Sequence, residues 1–495
     1  MSNSFLSLLN GQAKSLDDIP VITINELREN VCNKTKLGQR LLALFILFKD
    51  NKNHLCAIIA DDKNSTLSVA LAPVENSYQS FTIQCSQAQL FEQEIYEKYG
   101  ILPKGHPWLK PVRYPLDSHH KNKNIGTRDF YKIDEPGIHE VAVGPVHAGI
   151  IEPGHFRFQC RGEKILSLEI SRGYQHRGVE KAILEANKQR RQHLIETVSG
   201  DATAAHSLAF NRAIEALCKT TIPARAKLIR GIALELERCA CHIGDLGAIA
   251  GDIGYQPTSA RCGWIRGNAL NLTAELCGNR FSRGIFTTGG VKIDIDTPTA
   301  KDMIKKLKAI RQDVKDAIDF FWETPSVLAR IEGTGIITSK EAHSLGMVGP
   351  AARASGIKTD VRCCYPEGIY RFQQIPTAVE NKGDVYSRAK IRWTELNRSL
   401  DFIEEALDSL PSSALKSQLK KPQPNSFVLA LSEGWRGETA YIATTNENGE
   451  LNFIKIIDPS FKNWEAIELC VREEGISDFP LCNKSFNLSY CGHDL

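Results

Sequence analysis

No C-x-x-C spacing occurs among the 14 cysteines of this 495-residue chain. Its absence removes the usual ligand arrangement of zinc and iron–sulfur sites built from one chain. Apart from Cys239/Cys241 and Cys363/Cys364 the cysteines stand singly, and they read as reduced, buried, small apolar residues rather than a disulfide framework. Also missing is any apolar run long enough to span a bilayer. The best, LLALFILF from Leu41 to Phe48, has the length of a strand. The N-terminal stretch has no basic n-region and no cleavage site, which points away from secretion. Nor does one charge dominate. The 61 Lys and Arg against 58 Asp and Glu leave +3, too balanced for a nucleic-acid or anionic-membrane surface. Internal repeats and low-complexity tracts are lacking too.

The composition that remains, 42% apolar and 24% charged, is that of a globular chain with more than one well-cored domain. Three strand-length runs, LLALFILF, HLCAIIA and LSVALAP, are separated by turn residues and followed by QLFEQEIYEKYGI, a helical pattern that ends near Gly100. They predict an α+β N-terminal domain over residues 1–120. The polar stretch DSHHKNKNIGTRDFYKIDEPG marks the boundary. Residues 121–495 open with a hairpin, HFRFQCR and KILSLEISRGY, joined at RGEK. Helical patterns then run from Gly178 to Leu217, Ala224 to Ala250, Arg261 to Leu276, Thr297 to Ser326 and Ser387 to Leu410. A late strand pair turns at NENGE. The expected second domain is a mainly α-helical bundle with small β-hairpins at its ends.

Several stretches are more specific. FEQEIYEKYGILPKGHPWLKPVRYP resembles the end of the small hydrophilic subunit of respiratory complex I. GPVHAGIIEPGHFRFQCRGEKI, GYQHRGVEKAI, LELERCACHIGDLG, GGVKIDI, GPAARASGIKTDVR, GDVYSRAKIR and EGWRGE follow in order. They resemble the large subunit of membrane-bound nickel–iron hydrogenases of the formate hydrogenlyase and hydrogenase-4 type, and its complex I relative. The resemblance implies a hydrogenase large-subunit-like fold joined to the smaller domain. It also implies a place in a membrane-associated complex, with an iron–sulfur subunit carrying the proximal cluster and antiporter-like membrane subunits as partners. The chain itself would sit peripherally, on the cytoplasmic side of the cell membrane.

The family's nickel–iron site needs soft thiolates from two C-x-x-C pairs. Aligned on Ala205-His206-Ser207, those positions hold Ser199 and Ala202 near the start, and Ser489 and Gly492 near the C-terminus; Cys491 stands one residue off. No nickel–iron site and no cofactor held by this chain alone are therefore expected, and little remains of the extension that hydrogenase maturation removes. The quinone-binding histidine and tyrosine of complex I fall on Ile151 and Gly200, although quinone stays a candidate acceptor. Glu152, Asp201 and His206 are left as cavity or proton-relay candidates, although Glu152 also suits a carboxylate paired with an arginine to fix the loop, and His206 reads first as a core residue. His155, His176 and Arg177 are candidates for the cavity or for the cluster-subunit interface, and Glu180 for that interface or for helix-start electrostatics. Glu235, Glu237 and Arg238 suit a buried charge network or a solvated face. Arg353, Asp360, Arg362 and Arg388 are expected to form ion pairs around the cavity, which Glu433, Arg436 and Glu438 would line. Trp435 stands where the family often has proline. Two functions follow: an oxidoreductase subunit passing electrons to an unidentified acceptor, coupled to proton or sodium movement, or a non-catalytic coupling scaffold. Sulfur-species reduction at Cys491 is a third.

Overall fold

The computed structural model describes residues 4–120, 125–148 and 151–495. β1 (Leu6–Leu8) and β2 (Gln12–Ser15) lead into α1 (Ile24–Lys36), which starts at a Thr23–Glu26 capping box. The three apolar runs become β3 (Arg40–Lys49), β4 (Lys52–Asp61) and β5 (Thr66–Pro73), in a sheet of order β1-β5-β4-β3. β6 (Ser77–Gln79) precedes α2 (Gln89–Tyr99), and β7 (Leu102–Lys104) pairs with β6. Gly100 ends α2 in the left-handed region, as its position predicts. α1 packs on β4 and β5 while α2 packs on β3. The boundary expected at residue 120 adjoins residues 121–124, which lie outside the described residues, as do Gly149 and Ile150 of the hairpin loop.

β8 (Ile138–Val143), β9 (His155–Arg161) and β10 (Lys164–Ser171) form one antiparallel sheet, so the expected hairpin gains a third strand. The helix expected from Gly178 to Leu217 is instead three: α3 (Val179–Glu185), α4 (Lys188–Ile195) and α5 (Thr203–Leu217). Asn187 caps α4 through the Arg190 amide, and residues 196–202 turn rather than coil. α6 (Ala224–Asp252), α7 (Gln256–Cys277), the short strands β11 (Phe286–Thr287) and β12 (Gly290–Val291), and α8 (Thr297–Glu323) follow. Then come α9 (Pro325–Ile331), α10 (Ser339–Leu345), α11 (Gly349–Ala354), α12 (Val361–Cys364) and α13 (Val385–Asp408). α6, α7, α8 and α13 share the large helical core.

The late strand pair proves to be three strands: β13 (Ser426–Gly434), β14 (Gly437–Thr445) and β15 (Leu451–Ile457). β2 joins them from the other end of the chain, in the order β15-β14-β13-β2. This sheet is internal, not a hairpin at the end of a bundle. Phe427, Leu429, Leu431 and Ile442 face the core of the first unit, while Val428, Ala430, Tyr441 and Ala443 face α5 and its neighbours. The alternation is the two-residue period of a strand with both faces covered. α14 (Pro459–Cys470), α15 (Phe479–Phe486) and α16 (Tyr490–Asp494) close the chain.

Buried charge ties the two units together. The Arg40 guanidinium donates to both oxygens of Asp62 and, at 2.8 and 2.9 Å, to both oxygens of Glu438 at the start of β14. Glu180 is neither at an outer interface nor only a helix-start charge. It is buried beside Lys98 of α2 (3.2 Å) and Lys455 of β15 (3.3 Å), and it accepts from the Ile456 amide. Burial raises its carboxyl, but Lys455, Lys98 and Arg113 prevail and hold it far below the usual carboxylate range. Removing one member of such a set strands the others. Arg40→Ala is expected to lower the unfolding free energy by about 3–5 kcal/mol, measured as a drop in urea midpoint. A loss under about 1 kcal/mol, the range of an exposed pair, would show that Arg40 does not clamp the units.

Candidate functional site

The turn at residues 199–202 and the C-terminal segment meet across the fold. The Oγ atoms of Ser199 and Ser489 lie 3.0 Å apart and hydrogen-bond, joining residues 290 apart in sequence. Ser489 also caps α16, accepting from the Gly492 amide at 2.9 Å, and its Oγ lies 3.3 Å from Cys491 Sγ. Beside them opens a cavity of about 570 Å³, lined by Glu152, Asp201, Arg436, Ser489 and Cys491, with Asn279, Arg280, Phe281 and Arg283 at its rim.

Asp201 is locked. Arg436 grips it with two parallel hydrogen bonds of 2.5 and 2.9 Å while donating a third to the Asn487 carbonyl. Burial raises the Asp201 carboxyl, but Arg436 overrides it and holds the group below its ordinary value. Trp435, the unexplained departure in EGWRGE, donates its indole N–H to the Asp201 carbonyl at 2.8 Å, lies under the Arg436 guanidinium, and packs with Ala202 and Cys241. Its bulk thus fills the side of the site where Ala202 offers only a methyl group.

Glu152 reaches in from the β8–β9 loop and accepts from the Tyr490 amide at 3.1 Å. The loop can approach because residue 154 is glycine: a Cβ there would meet the Tyr490 ring at 2.4 Å. Burial, with Glu152 adding to it, pushes the Cys491 thiol up to about 11, so it is a protonated thiol near neutral pH. Arg177 braces both walls, donating to the Thr197 and Val198 carbonyls and to that of Cys491, while His176 contacts the Asp494 carbonyl. His155 meets the Gly144 carbonyl at the base of the loop, and burial lowers its pKa. None of these three lines the cavity.

His206 does not line it either. Both ring nitrogens are engaged, with Tyr441 Oη at 2.9 Å and Asp458 Oδ2 at 3.0 Å, in full burial. Its role is to hold Asp458, whose carboxylate lies against Gly492. A Cβ on Gly492 would meet Asp458 Cγ and Oδ2 at 2.6 Å. Asp458 escaped the sequence reading, although the Asp-Pro-Ser sequence at the start of α14 is a helix-cap signal. So did the rim residues, whose only signal is charge in the turn after Gly278 ends α7.

Behind the cavity the charged residues of α6 form a buried lattice, not a solvated face. Arg238 pairs with Glu235, Arg353 with Glu395 and Glu433, Arg362 with Asp360 and Glu235, and Arg392 with Asp245. Arg388 departs from the expectation of an ion pair: it donates to Ser485 Oγ and to the Gly383 and Gly335 carbonyls. Of the three EGWRGE charges only Arg436 lines this cavity, since Glu433 belongs to the lattice and Glu438 to the Arg40 clamp. Among the described residues no three His, Cys, Asp or Glu side chains converge as metal ligands.

Residues 252–426 match the family model described as the 49 Kd subunit of respiratory-chain NADH dehydrogenase, and residues 27–123 that of the 30 Kd subunit. The carbon monoxide-induced hydrogenase of Rhodospirillum rubrum is 30% identical over 348 residues, 70% of this chain and 96% of the relative. Formate hydrogenlyase subunit 5 of Escherichia coli K12 is 29% identical over 448 residues, covering 86% and 78%. The membrane-bound hydrogenase subunit alpha of Pyrococcus furiosus is 32% identical over 300 residues, covering 59% and 69%. The chain belongs to this hydrogenase and complex I large-subunit family. The alignment with the E. coli relative covers 86% of this chain, more than the large unit alone.

One carboxyl beside the family site carries a pH signature. Glu237 of α6 is buried and accepts from the Ala204 amide at 2.7 Å, at the start of α5. Burial pushes it up to about 8, partly opposed by the Ala204 and Ala205 amides. The folded carboxyl keeps its proton where the unfolded one has lost it, so stability falls as pH rises through the unfolded value toward 8. Glu237→Gln has no such proton to lose. Its stability relative to the native protein should improve by about 1 kcal/mol or more between pH 5 and 8, measured by urea unfolding at each pH. A constant difference would mean that Glu237 is ionised throughout.

Proposed function

We propose that this chain is the large subunit of a complex I-like, membrane-associated oxidoreductase that works without a nickel–iron site. Electrons would arrive from an iron–sulfur cluster held by a partner subunit and leave to an acceptor in the 570 Å³ cavity, with quinone the leading candidate. Antiporter-like membrane subunits would couple the step to proton or sodium movement, with this chain peripheral on the cytoplasmic side. No helix among the described residues is long and apolar enough to cross a membrane.

The observation that carries this reading is the convergence of Asp201, Ser489, Cys491 and Glu152 on one open cavity, with Ser199 hydrogen-bonded to Ser489 behind that wall. A coupling scaffold would be expected to fill that space with bulky side chains. The donors do not suit nickel and iron. Two hydroxyls bonded to each other, a methyl group and a glycine pressed on Asp458 replace the four thiolates the metals need. The residues instead suit proton delivery at the mouth. Glu152, half-buried and held by the Tyr490 and Cys491 backbone amides, is the proton carrier, while Asp201, pinned by Arg436, positions and neutralises.

The test uses the intact complex purified from membranes. With the partner's cluster reduced, quinone is added anaerobically and the reduced cluster's EPR signal is followed. The signal should be lost rapidly, and Glu152→Gln should slow its loss by on the order of 10²-fold. An intact cluster that quinone never reoxidises would overturn the quinone form and leave another acceptor or the coupling scaffold. Nickel analysis of the same preparation should give far less than one atom per chain, and stoichiometric nickel would overturn the metal-free form.

A further inference from the structure

A second cavity, about 300 Å³, shares no lining residue with the first and has the lattice members Arg362 and Glu433 in its wall. Its walls come from the C-terminal half of α5, the start of α6, the segment after α12, β13, and Gly11 from the β1–β2 turn. One side is apolar, built by Leu208, Ile222, Leu234, Ile369 and Leu431. The charged side has an imbalance. Arg230 is spent on Glu215 and on the Thr287 and Gly290 carbonyls, and Arg362 on Asp360 and Glu235.

Arg212 is matched only loosely, by the Glu367 carboxylate at 3.5 Å. Its Nη1 donates to the Leu431 carbonyl at 2.9 Å, but its buried Nη2 has no hydrogen-bond partner and stands 3.5 Å from Glu367. That carboxylate accepts instead from the Gly368 amide at 3.0 Å. The residue facing Nη2 is Gly11, where a Cβ would come within 3.2 Å. Lys227 and Arg371 also line the cavity and form no ion pair among the described residues. Burial lowers the Arg212 pKa, with Glu367 and Glu215 only partly restoring it. A buried guanidinium N–H without a hydrogen-bond acceptor is costly unless one completes it.

We propose that this second cavity binds a small organic anion, a carboxylate or phosphate held at Arg212 with its apolar body along Leu208, Leu234 and Leu431. The head would take the open Nη2 hydrogen bond, and Lys227 and Arg371 would favour its approach. The volume is at the lower end of known ligand cavities, which limits the occupant to a compact or short-chain molecule.

The probes are octanoate and octyl phosphate, with 1-octanol as the uncharged control, titrated calorimetrically into the full-length chain. One equivalent of an anion should bind saturably, and octanol on the order of tenfold more weakly or not at all. Octanoate and octyl phosphate together tell which head group is preferred. Arg212→Leu should erase the preference for the anion, and Arg212→Lys should retain part of it. Should Arg212→Leu fail to fold, Thr221→Trp at the exposed rim blocks the mouth without touching the core, and it should weaken both anions. No saturable anion binding, equal binding of octanol, or anion binding unchanged in folded Arg212→Leu or Thr221→Trp protein would overturn the proposal. None of these outcomes depends on what the first cavity reduces.

Discussion

Arg353 makes hydrogen bonds of 2.6 to 2.9 Å to Glu395 and Glu433 with no exposure to solvent, and the surrounding helices are placed by the need to match such charges. Burial costs a carboxylate or guanidinium several kcal/mol unless partners stand ready. Apolar helices tolerate small slips against one another, but a lattice of paired charges does not. Glu235 alone takes Arg238, Arg362, Ser399 and Tyr370, and thereby fixes α6 against α13 and the segment after residue 360. Burial pushes the Glu433 carboxyl up to about 7, with Asp360 adding and Arg353 opposing, so the lattice is finely balanced at that member.

How much of this the sequence disclosed depended on range. β3 to β5 and α2 were legible because strand-length apolar runs, turn residues and Gly100 act within a few residues of each other. The run from Gly178 to Leu217 misled because helical periodicity survives a break. Asn187, Ser199 and Gly200 redirect the backbone while the apolar stripe continues on both sides. β2 was invisible as a partner of β13, since nothing local in Gln12–Ser15 announces a strand more than 400 residues away. The same limit hid the fate of Glu180, whose lysine partners come from α2 and β15.

The candidate site was legible only through its place in a family pattern. Ser199 and Ser489 are unremarkable residues by type, and only their motif positions suggested that they would meet. Asp201 was visible as an acid, but its capture by Arg436 turns a relay candidate into half of a fixed ion pair. His206 has a histidine's chemistry without its freedom, because Tyr441 and Asp458 take both nitrogens. Trp435 could not be interpreted from the sequence because its meaning lies in contacts with Asp201, Ala202 and Cys241, all more than 190 positions away.

The hydrogen bond from Ser199 to Ser489 also has a meaning in time. One wall of the cavity leaves the ribosome 290 residues before the other. Throughout that interval the turn at 199–202 has no Ser489 to bond, no Asn487 carbonyl to steady Arg436, and no α16 for Glu152 to cap. The helices and the inner sheet can assemble earlier, whereas the chamber itself exists only once residues 487–495 have docked beside Arg177. Its closing therefore comes late in assembly, and until residues 487–495 dock, that face of the cavity stays open.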